Sequence, residues 1–122
     1  MPQFVILQHE TPPGYPRPNH FDLMLERAGA LRTWALPAFP AAGQSTIAEQ
    51  LADHRPAYLA FEGAVSPGRG SVQRVAEGIY ETLEERADLL RVRLSGDAIA
   101  GELTLSRQAG DAQRWCVSLA ST

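Results

Sequence analysis

The chain has 122 residues and a formal net charge of −3, with 44% hydrophobic and 20% charged residues. This composition suits a single globular domain, residues 1–122, and argues against a disordered tail or a collagen-like repeat. The single cysteine, Cys116, rules out an internal disulfide and favours a reducing cytoplasm. No apolar run approaches the roughly 20 residues that cross a bilayer, so no membrane partner is expected, and the chain is read as a monomer. The mild negative charge gives no electrostatic basis for broad nucleic-acid binding. All 11 cationic residues are arginine. Chemistry that needs a catalytic lysine is therefore excluded, whereas bidentate arginine contacts to phosphate remain available.

In chain order, Gln3 to Gln8 reads as a short apolar strand. Glu10 to Asn19 carries four prolines and a glycine and must be a loop. His20 to Arg27 alternates, with Phe21, Leu23 and Leu25 on one side and His20, Asp22, Met24 and Glu26 on the other. Ala28-Gly29-Ala30 reverses the chain into a strand from Leu31 to Leu36, and Pro37 to Ser45 is a second loop. Thr46 to Ala52 is expected to form one or two helical turns, and Tyr58 to Gly63 a strand before a turn at Ser66-Pro67-Gly68-Arg69-Gly70. Strands are then expected over Ser71–Glu77, Ile79–Glu84, Leu89–Ser95, Gly101–Arg107 and Arg114–Leu119, with turn residues such as Gly78 between them. That spacing predicts an all-β fold: a small closed or partly open β-barrel with short helical turns and long loops.

The polar chemistry gathers around three histidines. His20 and Asp22 are two apart on one strand, so both side chains leave the same face. His9 ends the first strand, and the proline-rich loop returns the chain to His20, so pairing of the two strands would bring His9 to the same point. Two neutral imidazoles and one carboxylate suit Zn²⁺, Mn²⁺ or Fe²⁺; a solvated or hydrogen-bonded surface pair is the plainer alternative. His54 sits in Asp53-His54-Arg55-Pro56, where His54 and Arg55 could face an anion or form an exposed charged turn. Gly68-Arg69-Gly70 would let backbone N–H groups and a guanidinium approach a ligand, or is simply a hairpin tip.

Several ordered blocks carry a resemblance. They are Phe4-Val5-Ile6-Leu7-Gln8-His9, His20-Phe21-Asp22-Leu23-Met24-Leu25-Glu26, and Leu31-Arg32-Thr33-Trp34-Ala35-Leu36-Pro37. Asp53-His54-Arg55-Pro56, Tyr58, Phe61-Glu62-Gly63 and Gly78-Ile79-Tyr80-Glu81 follow in the same order. Together they resemble the 3′-phosphoesterase module found at the N-terminus of bacterial ATP-dependent DNA ligase D and as stand-alone proteins. The resemblance implies a small β-barrel with a polar crater. It places the metal ligands on His9, His20 and Asp22, manganese as the favoured metal, and the phosphate-contacting, catalytic histidine on His54. The implied reaction removes a 3′-terminal ribonucleoside and then the 3′-phosphate from DNA ends during repair, in company with a ligase or polymerase partner.

The chain also departs from that pattern. The loop between His9 and His20 is longer than the five residues of the ligase-fused modules, and Met24, Ala38 and Thr46 stand where the family has cationic residues. Each charge-assisted contact to a phosphate is worth about 1.5–3 kcal/mol. Either Arg55, Arg69, Arg74 or Arg32 restores the positive charge, or the protein is a catalytically weak or inactive module that holds nucleic-acid ends or a partner. The expected function is thus a metal-dependent phosphoesterase acting on 3′ ends of DNA or RNA-tipped DNA, with the binding module as the alternative.

Overall fold

The computed structural model describes residues 2–65 and 68–121. Nine strands follow in chain order: β1 (Gln3–Glu10), β2 (His20–Arg27), β3 (Ala30–Leu36), β4 (Ser45–His54), β5 (Gly63–Ala64), β6 (Ser71–Arg86), β7 (Leu89–Gly96), β8 (Ala100–Arg107) and β9 (Arg114–Ala120). One 3₁₀ turn, Pro56–Leu59, lies between β4 and β5. The strands hydrogen bond in the order β1-β2-β3-β4-β9-β8-β7-β6-β5, and β1 also pairs with β6. Every strand-to-strand ladder is antiparallel, so eight strands close into a ring and the two-residue β5 is left on the outside of β6. The all-β expectation holds.

Alternation along each strand sorts the side chains onto two faces. Phe4, Ile6, Leu23, Leu25, Trp34 and Leu36 join Val92, Leu103, Leu105 and Trp115 in the main core enclosed by the ring. Trp34 meets Trp115 there edge to face at 5.8 Å. Phe4, Gly78 and Gly96 share one row across β1, β6 and β7. A Cβ at Gly78 would lie 2.9 Å from the Phe4 ring and 2.1 Å from the Ser95 carbonyl oxygen, so the aromatic ring and the β7 backbone occupy the space a side chain would need. The other face of β1 and β2 builds a second, smaller cluster of Val5, Leu7, Met24, Leu31 and Val72. Tyr58, Leu59, Phe61 and Val65 cover it from the segment after β4.

Three local expectations are corrected. Thr46–Ala52 is not helical but part of strand β4, held between β3 and β9. Its only buried residue is Ala48, so its sequence lacks the apolar alternation that signals a strand. The strand expected over Tyr58–Gly63 is absent but for Gly63, which begins β5: Pro56 starts a 3₁₀ turn instead, and Tyr58 within it and Phe61 just after it reach the second cluster. Gly78 is not a turn, because Ser71–Arg86 runs through it as one 16-residue strand. Ser66 and Pro67 of the expected turn lie outside the described residues.

Candidate metal centre

Pairing of β1 with β2 sets the centre. The register places His9 opposite His20 and Leu7 opposite Asp22, and residues directly opposite in an antiparallel pair point to the same face. That face is the one carrying Val5, Leu7 and Met24, outside the main core. His9, His20 and Asp22 therefore converge at one end of it, each offering one ligand atom, all within 4.8 Å of one another. The two imidazole rings are 4.8 Å apart, and the Tyr15 ring of the proline-rich loop packs 5.9 Å from His9.

Each histidine is oriented by a backbone carbonyl. His9 Nε2–H donates to the Arg69 oxygen at 2.7 Å, and His20 Nδ1–H donates to the Pro18 oxygen at 2.8 Å. With those protons in place, the other ring nitrogens, His9 Nδ1 and His20 Nε2, face Asp22. They stand 3.6 Å and 3.1 Å from its two carboxylate oxygens. Asp22 is only 4% exposed, and its Oδ1 has no hydrogen-bond partner. A buried carboxylate oxygen without a donor is costly unless a cation satisfies it. Burial pushes the Asp22 carboxyl up, but the His20 and His9 rings beside it outweigh that and hold it below the ordinary carboxylate value. The Asp22 carboxylate beside it raises His9 above its ordinary value against the opposing effect of burial. Carbonyl-tied imidazoles, free inward nitrogens and an unsatisfied carboxylate oxygen together fit a divalent cation.

The remaining predicted residues are spread more widely. His54 ends β4 opposite Leu31, on the same outer face as Asp22. It lies four register positions away, about 13 Å along the strands, and does not join the ligand group. Its Nδ1–H donates to the Ala52 oxygen at 2.9 Å, leaving Nε2 free, and its ring meets Tyr58 edge to face. Arg55 follows it and is exposed beside Tyr58 and Phe61. Arg69 reaches the centre through its carbonyl, and its side chain is exposed. Arg74 stands opposite Leu7 because the register shift after Ile6 turns it outward. Its guanidinium is engaged by Glu77 at 2.6 Å and the Leu59 oxygen at 3.3 Å. Arg32 points to the other face, over the Trp34 ring and toward Glu85, and is not brought to the ligand group.

One residue that sequence reasoning did not single out stands beside the centre. Arg17, in the proline-rich loop, bonds Glu49 at 2.8 Å and lines a groove of about 460 Å³ with His20 and Arg114. The signal for it was the unusual loop length, but only the folded loop reveals where its arginine lands.

Residues 8–107 match the family model described as the DNA Ligase D 3'-phosphoesterase domain. Among curated proteins, the chain is 34% identical over 121 residues to the Multifunctional non-homologous end joining protein LigD of Mycobacterium bovis. It is equally similar to the Multifunctional non-homologous end joining DNA repair protein LigD of Mycobacterium tuberculosis strain CDC 1551, and 33% identical to that of strain H37Rv. These alignments cover 92% of this chain and 15% of each relative. With the match spanning nearly every strand of the ring and all three members of the buried His-His-Asp group, the chain belongs to the DNA ligase D 3'-phosphoesterase domain family.

Proposed function

We propose that this chain is a metal-dependent phosphoesterase that acts in the cytoplasm on 3′ ends of DNA or RNA-tipped DNA during repair. The observation that carries the reading is the meeting of His9 Nδ1, His20 Nε2 and the buried Asp22 carboxylate at one point. These three residues would hold a divalent ion, Mn²⁺ first and Zn²⁺ second. When bound, such an ion supplies Lewis-acid polarisation of a phosphoryl oxygen and lowers the pKa of coordinated water.

The protein's own groups have separate tasks. The Arg69 and Pro18 carbonyls fix the His9 and His20 tautomers and so keep both inward nitrogens available as ligands. Asp22 supplies the negative charge of the centre from a buried position. His54, with its Nε2 free and Tyr58 holding the ring edge to face, would contact a phosphoryl oxygen of a bound end that runs along the strands from the metal centre. Arg55 and Arg69 are exposed enough to contact the phosphate backbone of a bound end. Arg74 would first have to release Glu77, and Arg32 is set aside by its position against Trp34 and Glu85.

A 3′-phosphate primer assay with and without Mn²⁺ tests the reading. The wild-type chain should release phosphate only with metal. His20→Ala should lower that release by at least about a thousandfold, the scale of removing a transition-state contact worth about 4 kcal/mol. Full activity in His20→Ala would sink the proposal.

One observation favours the alternative of a binding module without turnover. Met24 is fully buried among apolar residues two positions after Asp22, so no cation stands at that point of β2. Binding of the same primer without phosphate release would select this reading.

A further inference from the structure

We propose that Arg17 is the terminal-phosphate clamp of this centre, carried in by the proline-rich loop and held at rest by Glu49. The inference rests on the reading of the His9–His20–Asp22 group as a phosphate site and names the residue that would grip the substrate there.

The loop is built to place this arginine. Asn19 Oδ1 accepts hydrogen bonds from the Thr11 backbone N–H at 2.7 Å and the Thr11 hydroxyl at 3.1 Å, which closes the loop at its base. Tyr15 N–H donates to the Pro12 oxygen at 3.1 Å around Gly14, a turn of positive φ. Pro16 and Pro18 flank Arg17 and restrict its backbone. Pro18 also accepts the proton of His20, so the arginine is one residue from a group that orients a metal ligand. Its guanidinium is raised above its ordinary value by the Glu49 carboxylate first, and Asp22 adds a weaker attraction across the site.

The groove beside it fits a nucleotide end. His20 lies both in its wall and in the ligand group, so the groove adjoins the centre at that residue. Leu36, Pro37 and the half-exposed Ile47 give it an apolar floor, and Arg17 and Arg114 stand at its rim. Glu49 and Asp111 also line it, so its resting charge is balanced and Arg17 becomes available only by exchange. That exchange is easy, because both partners of the Arg17–Glu49 pair are substantially exposed, at 31% and 46%, and such a pair adds little to stability. A phosphate monoester carries more charge than one carboxylate and offers three acceptor oxygens to the guanidinium fork. Arg17 would thus supply a cation for which Met24 has no charge to offer.

The test uses the full chain and fluorescein-labelled single-stranded DNA ending in either a 3′-phosphate or a 3′-hydroxyl. Anisotropy is read in EDTA and again with Mn²⁺, and phosphate release is followed on the same proteins. Wild type should bind the phosphate end more tightly. Arg17→Ala should lose on the order of 10- to 100-fold in affinity for that end, the loss for one charge-assisted contact, while binding of the hydroxyl end stays near wild type. Arg17→Lys should keep part of the preference, and Glu49→Gln should strengthen it. The clamp is overturned if wild type shows no preference in either condition, if Arg17→Ala retains the preference, or if both ends weaken equally. A preference that depends on Arg17 in a protein releasing no phosphate would uphold the clamp and sink the hydrolysis. Release that is indifferent to Arg17→Ala would do the reverse.

Discussion

At the scale of single residues, the polar groups that matter are those whose partners lie far away in sequence. Tyr80 is buried at the edge of the main core, and its hydroxyl donates to the Glu26 carbonyl at 2.6 Å, tying β6 to the end of β2. Burial raises the Tyr80 pKa above its ordinary value of 10.0, with Arg32 and Arg27 opposing. A raised acid pKa means that folding favours the neutral phenol. This stabilisation is complete below the unfolded value and is lost as pH rises through the folded one. Tyr80→Phe should therefore cost about 1 kcal/mol at neutral pH through the unpaired carbonyl. The gap in urea midpoint between variant and wild type should stay constant from about pH 6 to 9 and close above about pH 10. A gap that widens at high pH would refute this account. The candidate site follows the same logic of distant partners. Its His20-x-Asp22 part was legible from a period of two, and His9 followed from the return of the loop. Arg17 was not legible, because its partner Glu49 is 32 residues away and belongs to a strand whose sequence reads as helix.

At the scale of elements, the misread segments share a physical cause. β4 is mostly exposed, with Glu49, Gln50 and Leu51 among helix-favouring residues, and its strand geometry is imposed by the ladders of β3 and β9. Strands that bury one face, such as β7, β8 and β9, show their alternation directly, while β1 and β2 are buried on both faces. The connection into β6 shows how an element controls the site. Gly68 and Gly70 both have φ of +82°, but a Cβ at Gly68 meets nothing, whereas one at Gly70 would lie 1.9 Å from the Glu10 carbonyl oxygen. Gly68→Ala should thus cost about 1–2 kcal/mol of backbone strain alone. Gly70→Ala should cost more, about 2–4 kcal/mol, because β1 and the approach to β6 must separate. Since the Arg69 carbonyl between them orients His9, Gly70→Ala should also weaken Mn²⁺ binding by calorimetry, and Gly68→Ala far less. Equal effects of the two substitutions on stability would show that close approach is not what selects glycine at position 70.

At the scale of the molecule, the ligand-bearing strands are members of the closed ring and not appendages to it. β1 pairs with both β2 and β6, so it is the closing strand, and its inner residues Phe4 and Ile6 belong to the main core while its outer end carries His9. A ligand that ties His9 to His20 and Asp22 therefore braces the β1–β2 ladder, next to the β1–β6 ladder that closes the ring. Anything that binds only the folded state stabilises it by mass action, about 2.7 kcal/mol at a hundredfold excess over the dissociation constant. For a chain of this size that corresponds to a rise of roughly 10 °C in Tm. Mn²⁺ or Zn²⁺ at that excess should shift the whole unfolding transition upward, with tryptophan fluorescence of the core Trp34–Trp115 pair and far-UV circular dichroism moving together. EDTA should reverse the shift, and His20→Ala or Asp22→Asn should remove it while both variants still fold around the main core. A metal-induced rise of the same size in His20→Ala would place the ion elsewhere. A rise confined to one probe would mean that the centre braces only its own corner of the ring.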